Sequence, residues 1–296
     1  MIKNKTTAAN AALFVVAVIW GGGYVAGKMA LTGFEPFVIL AYRFLLSALI
    51  CGFIFHKKIK NTSKKTALRG MLIGFLQFVA LSVQLVGLKY TTSAKQSFLC
   101  TAYVALVPFI SWFVLKKRPS LKAFIAGFLA LIGIGFISLS QSLTISFGDA
   151  LSLGFAVFFG VQIVLICSFV CECDGIQLTF FQILTAGVLS AIMGMIKGQA
   201  FVTYSTEALL GVGYLIVFNT LIAFIVQNIA QKYTSDTTAS LILSYESLFG
   251  FVFSIMYYHD TITSRLLVGC VLCFAAVLIS NLKIKRRTQK NNSRCL

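Results

Sequence analysis

Apolar residues run along this chain in long blocks, and polar residues collect in the short gaps between them. Ten blocks stand out, at residues 11–31, 34–55, 69–88, 94–115, 121–140, 149–170, 176–196, 208–230, 236–257 and 262–282. Each is close to the ~20 residues that a helix needs to cross ~30 Å of hydrocarbon. They lack the period-2 alternation of a barrel strand and are about twice as long as one. The pattern predicts an all-α polytopic membrane protein with ten transmembrane helices. Lys3 and Lys5 ahead of the first block resemble a signal peptide, but that block is long and other spans follow, so an uncleaved first helix is expected.

Composition agrees. The 296 residues are 58% hydrophobic and 11% charged, with a mean hydropathy of +0.92, more apolar surface than a soluble domain of this length can bury. The net charge of +17 would suggest a nucleic-acid partner in a soluble protein. Here the charge sits in short loops and the tail, which points to the membrane and to no nucleic acid. With the N-terminus inside, nineteen of the twenty-five lysines and arginines fall on the cytoplasmic side, including the Lys57–Arg69 cluster and the Lys283–Arg294 tail. The positive-inside rule therefore places both termini in the cytoplasm of a multi-pass protein of the cytoplasmic membrane. No gap has room for a separate soluble domain.

The sequence repeats itself over five spans: Ala17-Val18-Ile19-Trp20-Gly21 lines up with Ala156-Val157-Phe158-Phe159-Gly160, which sets Arg43 opposite Gln182. After a small insertion, Lys89-Tyr90-Thr91 matches Lys232-Tyr233-Thr234. An odd number of spans per copy inserts the second copy upside down. Residues 1–145 and 146–296 are thus expected to be inverted five-helix repeats, a transporter architecture with its site near the midplane.

Polar groups inside spans are costly and mark function. Counting from span ends puts Trp20, Gln77, Tyr103, Gln162, Asn219 and Glu246 at one depth. Trp20 and Tyr24, four apart, share a helical face. Such groups serve either as interhelical hydrogen-bonding glue or as a cavity lining. The expected substrate-binding set is Trp20, Tyr24, Gln77, Tyr103, Gln162, Asn219, Tyr245 and Glu246. Glu246, the only deep acid, is the candidate proton-coupling group. Arg43, the only deep base, is expected to hold a gate or cap helix carbonyls. Pro108 should kink the fourth span. Asp236 reads as a helix N-cap.

The cysteines form no disulfide framework. Most lie within apolar blocks, and Cys171-x-Cys173 has too few neighbouring ligands for a metal. No cofactor is expected. Two histidines, His56 and His259, fall on opposite sides, so no catalytic constellation forms and an enzyme is disfavoured. No loop carries GxxxxGK[ST], which disfavours an ATP-driven pump.

Several motifs in order resemble one family. They are Trp20-Gly21, Arg43, the run Gln84-Leu85-Val86-Gly87-Leu88-Lys89-Tyr90-Thr91-Thr92-Ser93-Ala94, Phe98-Leu99, and Tyr103-Val104-Ala105-Leu106-Val107-Pro108. Arg118-Pro119-Ser120, Gly148-Asp149 and Ala239-Ser240-Leu241-Ile242-Leu243-Ser244 leading into Glu246 follow. Together they resemble the drug/metabolite transporter superfamily, in its ten-helix EamA-type form, over nearly the whole chain. The resemblance implies alternating access between five-helix halves, and export of small metabolites, amino acids or drugs, often in exchange for protons. Two positions depart from it: Ser247 stands where the family commonly has Pro after Glu, and His259-Asp260 where it has Gly-Glu. A receptor, scaffold or lipid-handling protein built on the same bundle is the alternative function.

Overall fold

The computed structural model describes residues 2–116, 125, 127–129, 132–133, 135–136, 145–201, 205–259 and 263–281. Among them, eight segments are helical, long and apolar enough to cross a membrane: Lys5–Ala30, Pro36–Ile54, Lys64–Leu88, Ser93–Leu115, Phe147–Phe169, Gly175–Ile196, Thr206–Tyr233 and Asp236–Tyr258. The expected fifth span, 121–140, lies largely outside the described residues. The expected tenth corresponds to the helix Ser264–Asn281, whose described apolar stretch is Leu267–Ala276.

The elements in chain order are α1 (Ile2–Ala30), α2 (Pro36–Ile54), the short α3 (His56–Lys60), α4 (Lys64–Leu88), α5 (Ser93–Cys100) and α6 (Tyr103–Leu115). The second half continues with α7 (Phe147–Phe169), α8 (Gly175–Ile196), α9 (Thr206–Tyr214), a π-helix (Leu215–Ile222) and α10 (Ala223–Ala230). A 3-10 turn (Gln231–Tyr233), α11 (Asp236–Leu243), α12 (Glu246–Tyr258) and α13 (Ser264–Asn281) complete it. Small polar residues in the gaps start these helices by accepting from orphan backbone N–H groups. Ser63, Thr92, Ser146, Asp174, Ser205 and Ser235 all do so. The cap of α11 is therefore Ser235, and Asp236 is the first helical residue, bonded by Ser111 Oγ at 2.6 Å.

Outward-facing side chains are large and apolar, as with Phe53 at 85% and Phe113 at 74% exposure, which suits contact with lipid tails. Helix association there depends on close approach rather than on hydrophobic burial, so small residues decide it. The tightest packing joins the two halves of the chain: α4 lies against α7 and α8, and α2 against α8. At Gly74 a Cβ would stand 2.5 Å from the Gln182 carbonyl and 2.8 Å from Thr185 Cβ.

Ion pairs tie the ends. On the basic face, Lys65 and Arg69 reach Glu172 at 2.7 and 2.9 Å, and Lys58 reaches Asp174 at 3.3 Å. Lys65 first, and Arg69 with it, hold the Glu172 carboxyl below the usual carboxylate range. Their attraction is thus present above that range and is lost as the pH falls through the lowered value. On the opposite face Lys89 pairs with Glu35 at 2.8 Å and Lys95 with the fully buried carboxylate of Asp149 at 2.6 Å.

Two membrane crossings are broken, and in the same way. The helix Ser93–Cys100 has 8 residues, pauses at Thr101-Ala102, and resumes for 13 residues as Tyr103–Leu115. The crossing Asp236–Leu243, Ser244-Tyr245, Glu246–Tyr258 repeats those lengths in the opposite direction. Each ends in a left-handed residue, Lys116 at φ 57° and His259 at φ 52°. Carbonyls near the breaks are met by hydroxyls: Thr101 Oγ1 donates to Ser97 O, Ser244 Oγ to Leu241 O and Ser247 Oγ to Ser244 O. That local satisfaction is what makes a broken helix tolerable at membrane depth. Pro108 lies inside α6, beyond the break rather than at it. A proline leaves one carbonyl without its helical donor and so bends a helix without ending it.

The packing at Gly74 yields a test. Gly74→Ala should destabilise the protein by about 1–3 kcal/mol, because the added methyl meets backbone that cannot rotate away. Gly213→Ala, with nothing within 4 Å of the new Cβ, should be neutral or mildly stabilising. Melting curves of the two purified variants in one detergent check the pair.

Candidate functional site

A single buried face of α1 begins the site. Trp20, Tyr24 and Gly27 follow one another along it and line a cavity that encloses about 50 Å³. Gln77, Gln84 and Leu88 of α4 form a second wall, and Gln96 of α5 a third. The second half of the chain closes it with Phe155 and Phe159 of α7, Asn219 of the π-helix, Phe224 of α10 and Glu246 of α12. Arg43 of α2 also reaches the cavity. One acid, one base, several amides and a floor of aromatic rings thus face the same small volume. The floor is tightly interlocked: Trp20 lies edge-on to Phe159 at 5.5 Å and tilted on Phe224 at 5.5 Å, and Phe155 stacks on Phe159 at 4.8 Å.

The π-helix holds Asn219 in place. π-turns are rare and collect at functional sites because their widened ladder redirects backbone groups. Here Ile216 O accepts from Ser47 Oγ at 2.8 Å, and Asn219 O accepts from Trp20 Nε1 at 3.1 Å. The Asn219 side chain donates to Ile19 O at 3.2 Å and accepts from Arg43 Nη2 at 2.6 Å. Arg43 Nε donates to Thr220 Oγ1 at 2.9 Å. Arg43 is 5% exposed, and these bonds are charge-assisted, the stronger class. The glycine run of α1 permits this closeness. A Cβ at Gly21 would strike Phe249, one at Gly22 would sit 2.5 Å from the Tyr214 hydroxyl, and one at Gly23 would strike Asn219. Three successive residues face two neighbouring membrane crossings.

A second polar chain runs beside the cavity. Gln77 Oε1 accepts from Gln162 Nε2 and, at 3.0 Å, from Gln182 Nε2. Asn228 Nδ2 donates to Gln182 Oε1 at 2.9 Å and to Thr179 Oγ1 at 2.7 Å. Gln182 was aligned with Arg43 from the repeat, and the two do corresponding things: each crosses from one half of the chain to an amide of the other.

Glu246 opens α12 and Tyr103 opens α6, the same place in the two broken crossings, and they meet. The Tyr103 and Tyr24 hydroxyls flank the Glu246 carboxyl group. Even so, among the described residues Glu246 Oε1 and the Tyr103 hydroxyl have no partner at hydrogen-bonding geometry. Glu246 is 4% exposed.

Of the residues expected to bind substrate, Trp20, Tyr24, Gln77, Asn219 and Glu246 line the cavity, and Arg43 joins them. Tyr103 and Gln162 stand behind the wall, the first adjacent to Glu246 and the second bonded to Gln77. Tyr245 faces away, edge-on to Phe14 at 5.6 Å and to Phe274 at 5.8 Å. Depth alone did not point to Gln84 and Gln96, which line the cavity, or to Gln182, Thr179 and Asn228. The signal for Asn228 was present as helical spacing from Phe224, which faces the cavity four residues earlier.

Comparison with known proteins places this geometry. The model of the EamA-like transporter family matches residues 7–139 and again 146–282. The chain is 31% identical over 280 residues to an uncharacterized transporter of Archaeoglobus fulgidus, covering 95% of this chain and 88% of that one. A second uncharacterized transporter of the same organism is 23% identical over 92% of this chain and 96% of its own length. One from Buchnera aphidicola subsp. Schizaphis graminum is 25% identical over 84% of this chain and 86% of its own. A solved crystal structure at 15% identity superposes with a TM-score of 0.71, covering 93% of this chain and 96% of that one, and shares the fold.

The Arg43 clasp is testable by a double-mutant cycle. Arg43→Met and Asn219→Leu should each cost about 1.5–3 kcal/mol, the range for hydrogen bonds to charged groups. The double variant should cost clearly less than the two together, because both remove one interaction. Thermal unfolding of the four proteins in detergent gives the coupling.

Proposed function

The chain belongs to the EamA-like transporter family, within the drug/metabolite transporter superfamily, and from that premise we propose that it is a secondary active exporter of a small organic solute. The solute is a metabolite, amino acid or drug-like compound, moved across the cytoplasmic membrane by alternating access between residues 1–145 and 146–296, with both termini in the cytoplasm. The observation that carries this reading is the cavity itself. Both halves of the chain wall it, and it holds the deep acid, the deep base and a set of amides.

Its volume supports a cycle rather than a static site. About 50 Å³ admits a few waters, far below the ~300 Å³ or more that encloses an organic ligand. A solute enters only when the halves separate. The matched breaks at Thr101-Ala102 and Ser244-Tyr245 are the places where each half bends without losing backbone hydrogen bonds. In the open state Trp20, Tyr24 and Phe159 supply apolar contact, and Gln77, Asn219 and Glu246 orient the solute, with Tyr103 and Gln162 positioning Glu246 and Gln77. Arg43 holds the π-helix against α2, and its release opens one side.

Glu246 serves as the proton site. It is an acid within the cavity, with one oxygen unpartnered, so it is placed to exchange a proton for solute as access alternates.

The test is release from liposomes loaded with a metabolite mixture, read by mass spectrometry, with and without a pH gradient. A chemically coherent subset should leave protein-containing vesicles faster than empty ones. Glu246→Gln should abolish the gradient-driven part and leave solute exchange intact; unchanged gradient-driven release would sink proton coupling at this residue.

A further inference from the structure

Below the aromatic floor, toward the basic face, α10 and the 3-10 turn that follows it carry a polar stripe that the cavity does not use. Phe224 sits on the floor, and Gln227, Asn228 and Gln231 follow it at three, four and seven residues, on the same side of the helix. Gln227 and Asn228 are 0% exposed and Gln231 1%. Among the described residues, neither the Nε2 nor the Oε1 of Gln227 has a hydrogen-bond partner, and the same holds for Gln231. Asn228 Oδ1 is also unpartnered, although its amide nitrogen is bonded twice. Five amide ends over little more than one turn of one membrane crossing are therefore buried without a hydrogen-bond partner among the described residues.

That arrangement is not explained by packing. A buried amide without a partner costs on the order of 1–3 kcal/mol in protein, and the cost rises where no water can reach. Apolar residues at 227 and 231 would fill the same space at no such penalty. The segment leads from the floor to Tyr233 at the basic face, where Lys5 lies over the Tyr233 ring at 5.8 Å. Nearby, Ser111 and Asp236 pair at 2.6 Å on α6 and α11.

We propose that Gln227, Asn228 and Gln231 line a second binding subsite, on the basic-face side of the Trp20–Phe159–Phe224 floor, for water and a small hydrogen-bonding solute. Its chemistry is that of neutral amides, each offering a donor and an acceptor. It therefore takes solutes rich in hydroxyl, amide or carboxamide groups and gives no charge selection, which is left to Arg43 and Glu246 above the floor. The aromatic floor separates the two subsites in this conformation, and parting of Trp20 from Phe224 joins them. The subsite rests on the transporter reading for its purpose, but its hydration is a property of the folded chain alone.

Solvent access tests it without any solute. Gln227→Cys, Gln231→Cys and Ile229→Cys are each treated, in inside-out and right-side-out membrane vesicles, with a membrane-impermeant methanethiosulfonate, and the modified peptide is quantified by mass spectrometry. Ile229 lies on the exposed side of the same helix and is the reference. The thiols at 227 and 231 should react at least about tenfold faster than that at 229, because a thiolate forms in water and not in lipid. The reaction should occur only from the face bearing Lys57–Arg69. Absence of reaction, equal reaction at all three positions, or reaction from the other face alone overturns the proposal. If a cysteine variant does not accumulate, the melting temperature of Gln227→Leu in detergent decides: a value equal to or below that of the unsubstituted protein supports a hydrated amide, and a clear rise, as expected when a dry unpartnered amide is removed, overturns the subsite. Labelling without any solute release from liposomes would remove the transporter reading alone, and release without labelling would remove the subsite alone.

Discussion

The rest of the structure depends on a single constraint, that a polar group within the hydrocarbon layer must find its partner inside the protein. Arg43 shows its force. Its guanidinium cannot be left bare at that depth, so it is bonded to Asn219 and Thr220, and the helix carrying them is wound as a π-turn. Trp20 and Ser47 then bond the π-turn's carbonyls, and the glycines of α1 bring the helices near enough for all these bonds to form. The cavity is the space left between groups assembled in this way.

The same constraint explains the symmetry of the two broken crossings. An interrupted helix exposes carbonyls and amides, which would be prohibitive in lipid. Hydroxyls at Ser97, Thr101, Ser244 and Ser247 take up that burden locally, so the breaks persist without water. The breaks in turn bring Tyr103 and Glu246 together at the start of equivalent half-helices. A tyrosine from one half and a glutamate from the other face each other where the halves meet. The repeats have diverged in chemistry while keeping their lengths.

The clasps between the halves also differ in strength. Arg43 on Asn219 is charge-assisted, whereas Gln182 on Gln77 is a neutral amide bond. Both contacts are made in this structure. The small cavity and the closed aromatic floor belong to the same arrangement.

Much of this was legible in the chain. Block length and hydropathy pointed to the eight long apolar helices found among the described residues, since ~20 apolar residues have few other uses, and the Lys-Tyr-Thr echo pointed to a repeat, in a chain that the family model matches twice. Depth counting found Trp20, Gln77, Asn219 and Glu246, because rise per residue is nearly constant along a helix. Azimuth was decided only by tertiary packing: Tyr245 and Glu246 share a depth, yet one faces Phe14 and Phe274 and the other the cavity. The site of each break was likewise tertiary, for Pro108 is the visible helix breaker and the interruption lies at Thr101-Ala102, where hydroxyls can satisfy it. Which amides pair and which stay open was also decided there. The sequence places Gln182 and Gln227 in spans, but only the neighbouring helices determine that the first meets Gln77 while the second has no hydrogen-bond partner among the described residues.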